Sequence, residues 1–457
     1  MQPQSFISRM KTYHQVDSAR VKTPQSAVRQ ASLTSPPKYT FRFLPRPQIA
    51  ASYTTGKPLS ILMCWHSSRR AAGPDDPAAA YLRCIVSAFF RSVHPGFPVL
   101  DRSAFELRYH QGTASLFLLQ TVFFLSATVC DDNIFEGSQI GNRAQARRAF
   151  YNRAKLLYDA DYETDNTLLT ACLFLLGFWW QRPQEQKDSW HWLGCAISLA
   201  QTMGMHRSTE QSCLSPRTRS LWKRIWWSLY IRDRHVSAAL GRPYRIRDQD
   251  CNPEPLGEAD FEFDSHTTTD IIAKQGAYHI AYTQNVSSLT ILLGRILTLR
   301  FSPIEHCAPA DIEDVGARLR DWEQNLPGVV LQRSMSGKLG ASFWTAMLYA
   351  SFHNCQILLY RPTREQGIEG GLNEVAIRAA DSITRIAEDV LTANTLRKCQ
   401  LHMIPALFAA LSIHAVVIQR EETVHRLLAE NRSRQCMLAL RELSKSWPVG
   451  GWILGLL

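Results

Sequence analysis

From about Pro77 onward, apolar residues recur along the chain at three- and four-residue steps, and this spacing predicts α-helices. The segments are roughly 77–92, 102–110, 113–130, 141–160, 166–182, 187–205, 217–239, 272–300, 308–325, 338–360, 372–394, 403–429 and 432–446. Within 187–205, Trp190, Leu193, Ile197, Ala200 and Met203 form one apolar stripe. Within 217–239, Trp222, Trp226 and Leu229 do the same, while Lys223, Arg224 and Arg232 lie on other faces. Start signals agree in places. Ser103 and Glu106 have the spacing of a capping box after Asp101, and Ser215-Pro216 puts proline at a first helical position. No useful length alternates with period two, and no repeat of 20–50 residues stands out. The fold class is therefore all-α: a multi-helical domain over 76–457, preceded by an arm over 1–75 that ends in Gly73-Pro74. The longest irregular stretch, 241–266, is acidic and contains prolines.

Two apolar runs raise the question of a membrane span. Ala114–Cys130 is interrupted by Gln120, and Thr167–Trp180 is shorter still. Both fall short of the roughly 20 residues that cross a bilayer, so both are expected to be buried core helices.

Charge changes the picture only once it is located. The chain of 457 residues carries a formal net charge of +11. Residues 1–70 hold 11 Lys/Arg against Asp17 alone, leaving 40 basic and 39 acidic side chains for the rest. The helical body is thus nearly neutral, and the basic surplus sits on the arm, which weakens any expectation that the body grips DNA directly. Residues 1–46 are rich in Ser, Arg and Gln, a composition shared with mitochondrial transit peptides, but their large apolar residues are too sparse for an amphipathic helix. A plain disordered basic arm is the favoured reading, and no dense Lys/Arg run marks a nuclear signal. The eleven cysteines are scattered, with no C-x-x-C pair, as expected of reduced thiols in an intracellular protein.

Few constellations carry chemistry. Asp159, Asp161, Glu163 and Asp165 have the spacing of the first ligands of a calcium loop, but that loop's glycine and terminal Glu positions hold Thr164 and Thr170. A solvated turn, with Asp165 or Asn166 capping the next helix, is expected instead. His191 and Cys195 stand four apart with no third ligand suggested, so no metal is assigned. Patterns of nucleophile elbows, phosphate loops, dinucleotide loops and zinc proteases are absent. The segment Arg232-Asp233-Arg234, followed by Gly241-Arg242-Pro243, is different. An aspartate at the end of so aromatic a helix needs a partner if buried. Two readings stand: a latch in which Asp233 pairs with Arg242, or an anion or effector site lined by Arg234, Arg242 and Arg245.

Several blocks, taken in order, resemble a known family. Phe90 to Asp101, with His94, Pro95, Pro98 and Asp101, is similar to its opening block. Tyr151 to Tyr158 and Asp161 to Asp165 resemble its second. The run Trp190–Arg207, with Gly194 and His206, then Leu221–Arg234, with Trp226, Trp227 and Arg232, then Gly241–Asp250, with Pro243, resembles its central signature. The family is the fungal-specific transcription factor regulatory domain, or middle homology region, of fungal binuclear zinc-cluster regulators. The cutinase-transcription-factor-like subgroup looks most similar, and the resemblance covers roughly 80–450.

The resemblance implies a nuclear, non-catalytic regulator of RNA polymerase II transcription of metabolic or secondary-metabolite genes. It implies as partners other transcription regulators or co-regulators, DNA through family association or the basic arm, a small-molecule effector, and a second copy in a homodimer. Family members usually begin with six cysteines holding two zinc ions, which place a helix in the major groove. This sequence shows no such cluster, so no cofactor is expected and zinc would enter only with an upstream segment. Either the product has lost its DNA reader or the true start lies upstream of Met1. Two rivals remain open. One is an all-α enzyme such as an isoprenoid-type synthase, for which Asp131-Asp132-Asn133 is the only faint metal motif. The other is a non-catalytic interaction scaffold.

Overall fold

A computed structural model describes residues 77–135, 141–264, 271–302, 308–331, 339–362, 373–420 and 423–456. The basic arm lies outside these residues. Among them are fifteen α-helices, four short 3-10 turns and no strand.

The first half is built from α1 (Pro77–Ser92), α2 (Arg102–His110), α3 (Leu116–Val129), α4 (Arg143–Asp159), α5 (Asn166–Leu176), α6 (Ser189–Met203) and α7 (Pro216–Leu240). The second half holds α8 (Ala277–Phe301), α9 (Pro309–Gln324), α10 (Gly328–Leu331), α11 (Ala341–Tyr360), α12 (Glu374–Thr392), α13 (Met403–Arg420), α14 (Thr423–Ser444) and α15 (Pro448–Leu456). Helix α3 packs on α1, α4 and α5; α6 and α7 pack side by side; α8 joins the halves by lying between α7 and α11. Helices α11 to α14 form the second bundle, and α15 folds back on α14. One connected apolar cluster runs from Leu82 to Trp447.

Both apolar runs are core elements. Every residue of α3 is buried, and so are Thr170 to Leu176 of α5. No described helix is long and apolar enough to cross a membrane. Burial of α3 on all sides explains its lack of a polar stripe.

Local chemistry sets the helix ends. Ser215 caps α7 by accepting the Thr218 amide, with Pro216 at the first helical position. Gly241 ends that helix in the left-handed region, φ +63°, a conformation that a Cβ makes costly. Asp165 caps α5 as the solvated-turn reading expects, and Glu163 beside it accepts the Ser115 hydroxyl. Asp159 is engaged by Lys155 and Lys187, so the four acids do not converge as a calcium loop.

Three sequence expectations are corrected. The cap of α2 is Asp101, which accepts the Ala104 amide, whereas Ser103 donates its hydroxyl to the Phe263 carbonyl. The predicted helix 166–182 stops at Gly177, whose carbonyl is taken by side chains from α6 and α7. The predicted 403–429 helix divides earlier, into α13 and α14. Val424 and Leu427, near the start of α14, are 68% and 62% exposed.

Candidate functional site

The C-terminal half of α7 reaches two different sites, because consecutive residues on a helix point about 100° apart. On one side, Asp233 and Arg234 bind the loop that follows the helix. On the other, Arg232, His235 and Val236 line an apolar cavity.

The loop side has its own geometry. Asp233 is fully buried, and its carboxylate accepts the backbone amides of Arg245 at 2.9 Å and Ile246 at 2.9 Å, together with Nη1 of Arg234 at 3.2 Å. Burial raises the Asp233 pKa, and these amides and Arg234 work against that rise. Arg234 is equally buried. It stacks between Tyr230, 3.7 Å from its ring centre, and Tyr244, at 4.5 Å, and donates to Asp248 at 2.6 Å. Tyr230 donates to the same Asp248 oxygen at 2.7 Å.

The Asp233–Arg242 latch is therefore corrected. Arg242 pairs with Asp188 at 3.7 Å and is half exposed. A buried carboxylate is best served by fixed backbone donors, which cost no side-chain entropy to position, and the left-handed Gly241 turn delivers them. Nor do the three arginines of the anion-site reading converge. Arg234 is consumed by Asp233 and Asp248, whereas Arg242 and Arg245 border an open groove beside Trp190. Arg245 stacks on Trp190 at 3.5 Å, a contact that Gly194 permits, since a Cβ there would stand 3.1 Å from the guanidinium.

The remaining signature positions have structural placements. His94 donates from Nε2 to the Leu100 carbonyl, 3.1 Å, in a buried cluster where Arg224 pairs with Asp264. The Pro95 carbonyl accepts the Thr283 hydroxyl, and Pro98 is buried. Asp101 also receives Arg217. His206 lies against Trp226, while Trp227 donates to the Glu254 carbonyl at 2.8 Å. Arg207 and Pro243 are exposed. His191 and Cys195 touch at 3.8 Å, and among the described residues no group of three metal-capable side chains forms. Asp131 and Asp132 are engaged by Lys398, Arg143 and Arg397, which leaves the faint synthase motif neutralised by cations.

The cavity side was not legible from sequence. It lies where the two halves meet, with an accessible volume of about 110 Å³, bounded by α7, α13, α15 and the segment after α5. Its walls are mostly apolar, from Val236, Ile404, Phe408, Trp447 and Trp452 among others. Arg232 donates Nη2 to the Gly177 carbonyl at 3.2 Å and to the Ser189 hydroxyl at 3.4 Å, and lies 4.3 Å over the Phe178 ring. Arg147 donates to Thr128 and to the carbonyls of Trp180 and Phe178. Both arginines are about 97% buried, and burial pulls each guanidinium down to about 9. His235 lines the same space 5.2 Å from His402, and burial holds its pKa well below the usual imidazole range.

Comparison with known proteins adds a family. The model described as the fungal specific transcription factor domain matches residues 86–327. Cutinase transcription factor 1 alpha of Fusarium vanettenii is 32% identical over 394 residues, covering 83% of this chain and 43% of that protein. Cutinase transcription factor 1 beta of the same fungus is 26% identical over 435 residues, covering 83% and 49%. The acetamidase regulatory protein of Aspergillus fumigatus is 27% identical over 392 residues, covering 83% and 48%. The chain spans about half the length of the curated relatives it matches.

Proposed function

The chain belongs to the fungal specific transcription factor domain family, and from that premise we propose that it regulates transcription in the nucleus through its helical body. The observation that carries the reading is the extent of the match, which runs from α1 into the loop before α10 and so takes in the whole of α7 and its latch loop. The relatives it resembles bear the names of regulators of cutinase, acetamidase and fusaric acid genes, and these are not enzymes.

In this reading the body performs no catalytic step. It offers a nearly neutral helical surface to other regulators or co-regulators, in one copy or two, and receives a small-molecule effector. The basic surplus of residues 1–70 adds a sequence-independent attraction to phosphates. The ion-paired Asp131 and Asp132 count against the synthase alternative.

Transcript profiling of a strain with the gene deleted tests this. A defined gene set should change and return when the chain is restored, with the tagged chain in the nucleus. An unchanged transcript profile, or a chain confined to another compartment, would overturn the reading.

A further inference from the structure

The cavity between the two halves contains an electrostatic imbalance. Arg232 and Arg147 are buried guanidiniums; among the described residues no carboxylate stands within ion-pair distance of either, and only Arg147 feels one from further off, Glu185. Their partners are neutral carbonyls and hydroxyls. Isolated buried charge is expensive, and the usual remedy is a counter-ion. Of the five guanidinium donors, those on Nη2 of Arg232 serve Gly177 and Ser189. Beside it stands His235, 8% exposed, whose buried Nδ1 has no hydrogen-bond partner among the described residues. Two groups suited to an anion thus border a space whose other walls are hydrocarbon and aromatic.

The walls select among anions. A phosphate would need more donors than this space offers and would leave the apolar walls without a partner. A carboxylate needs a fork of two donors, and an attached hydrocarbon body fills the rest. Room of about 110 Å³ is less than the roughly 150 Å³ that takes one benzene ring, so the hydrocarbon body is limited to a few carbons.

We propose that this cavity binds a small apolar monocarboxylate, its carboxylate on Arg232 and His235 and its hydrocarbon body between α7, α13 and α15. The bound anion would join residues of both halves, Val236 on α7 with Ile404 on α13 and Trp452 on α15. Occupancy would then bias how the halves pack, which is the differential interaction an effector requires. The regulatory meaning rests on the function proposed above; the binding itself does not.

Calorimetric titration of the full chain with 3-methylbutanoate, 3-methylbutan-1-ol and inorganic phosphate tests the site. The acid should bind at least about tenfold more tightly than the alcohol, the margin expected of one hydrogen-bonded charge. In Arg232→Gln that margin should vanish while binding of the alcohol persists. Ala239→Phe, at an exposed cavity position, should block both organic probes without disturbing the core, and it carries the test if Arg232→Gln does not fold. Equal binding of acid and alcohol, a preference that survives Arg232→Gln, competition by phosphate alone, or no binding of the acid would each overturn the proposal. None of those results bears on whether the body regulates transcription, which the transcript profile reads separately.

Discussion

Asp233 accepts the amide of Ile246 at 2.9 Å, thirteen positions along the chain, and so ties the end of α7 to the loop that leaves it. The same carboxylate holds Arg245's amide and the Arg234 guanidinium. Asp233→Ala should therefore destabilise the fold by about 3–5 kcal/mol, because it leaves the amides of Arg245 and Ile246 without an acceptor and takes from the buried Arg234 one of its two carboxylates. Arg242→Met should cost no more than about 1 kcal/mol, since its partner Asp188 is 3.7 Å away and Arg242 itself is half exposed. The double variant should be additive, as expected of residues without a shared contact. Chemical denaturation of the four proteins checks this; a non-additive pair would restore the direct latch.

Much of this helix was readable beforehand. Ser215-Pro216 and Gly241 bracket α7 because caps are local chemistry, written within three or four residues. The need of Asp233 for a partner was also readable from its aromatic surroundings. Its backbone partners were not, because amides carry no side-chain signature, and Arg242 was the cation that a turn after the helix could bring back to it. The cavity was hidden for another reason. Arg147, Phe178, Arg232, Ile404 and Trp452 come together only through long-range packing, and no local period marks them.

A second contrast separates buried from exposed pairs. Asp264 is 2% exposed, pairs with Arg224 and accepts the Arg102 amide at 3.0 Å. Asp264→Ala should cost about 3–5 kcal/mol. Arg217, 45% exposed in its pair with Asp101, should cost at most about 1 kcal/mol when changed to Ala, because water screens it. Equal losses would contradict the burial argument.

Acid should unfold this protein early. His94, His235, His279, His402 and His414 are buried, and burial is the main cause lowering each pKa, to about 4 for the last three. An imidazole whose folded pKa lies below its ordinary 6.5 gives full stability above that value and loses it as pH falls towards the folded one. Each such histidine contributes a slope of about 1.4 kcal/mol per pH unit within that window. Burial raises the carboxyls of Asp233, Asp264, Glu323 and Asp381, which oppose the trend, while His191, His206 and His353, also lowered by burial, add to it. Melting temperature should fall steadily between pH 6.5 and 4; a flat profile would contradict neutral burial of these rings.

The basic arm should account for any non-specific DNA binding. Residues 1–70 carry 11 basic side chains and one acid, so binding should weaken steeply with salt and disappear when they are deleted. Electrophoretic mobility shifts across a salt series would show it. Tight, sequence-selective binding by the remaining body at physiological salt would contradict the charge argument.

The central claim is that the chain carries regulatory output in its helical body. The most direct measurement fuses the full chain, and the chain without residues 1–70, to an unrelated DNA-binding module upstream of a reporter. Both fusions should shift the output away from that of the module alone, in the same direction and to a similar extent. Output indistinguishable from the module alone, with both fusions folded and nuclear, would contradict it.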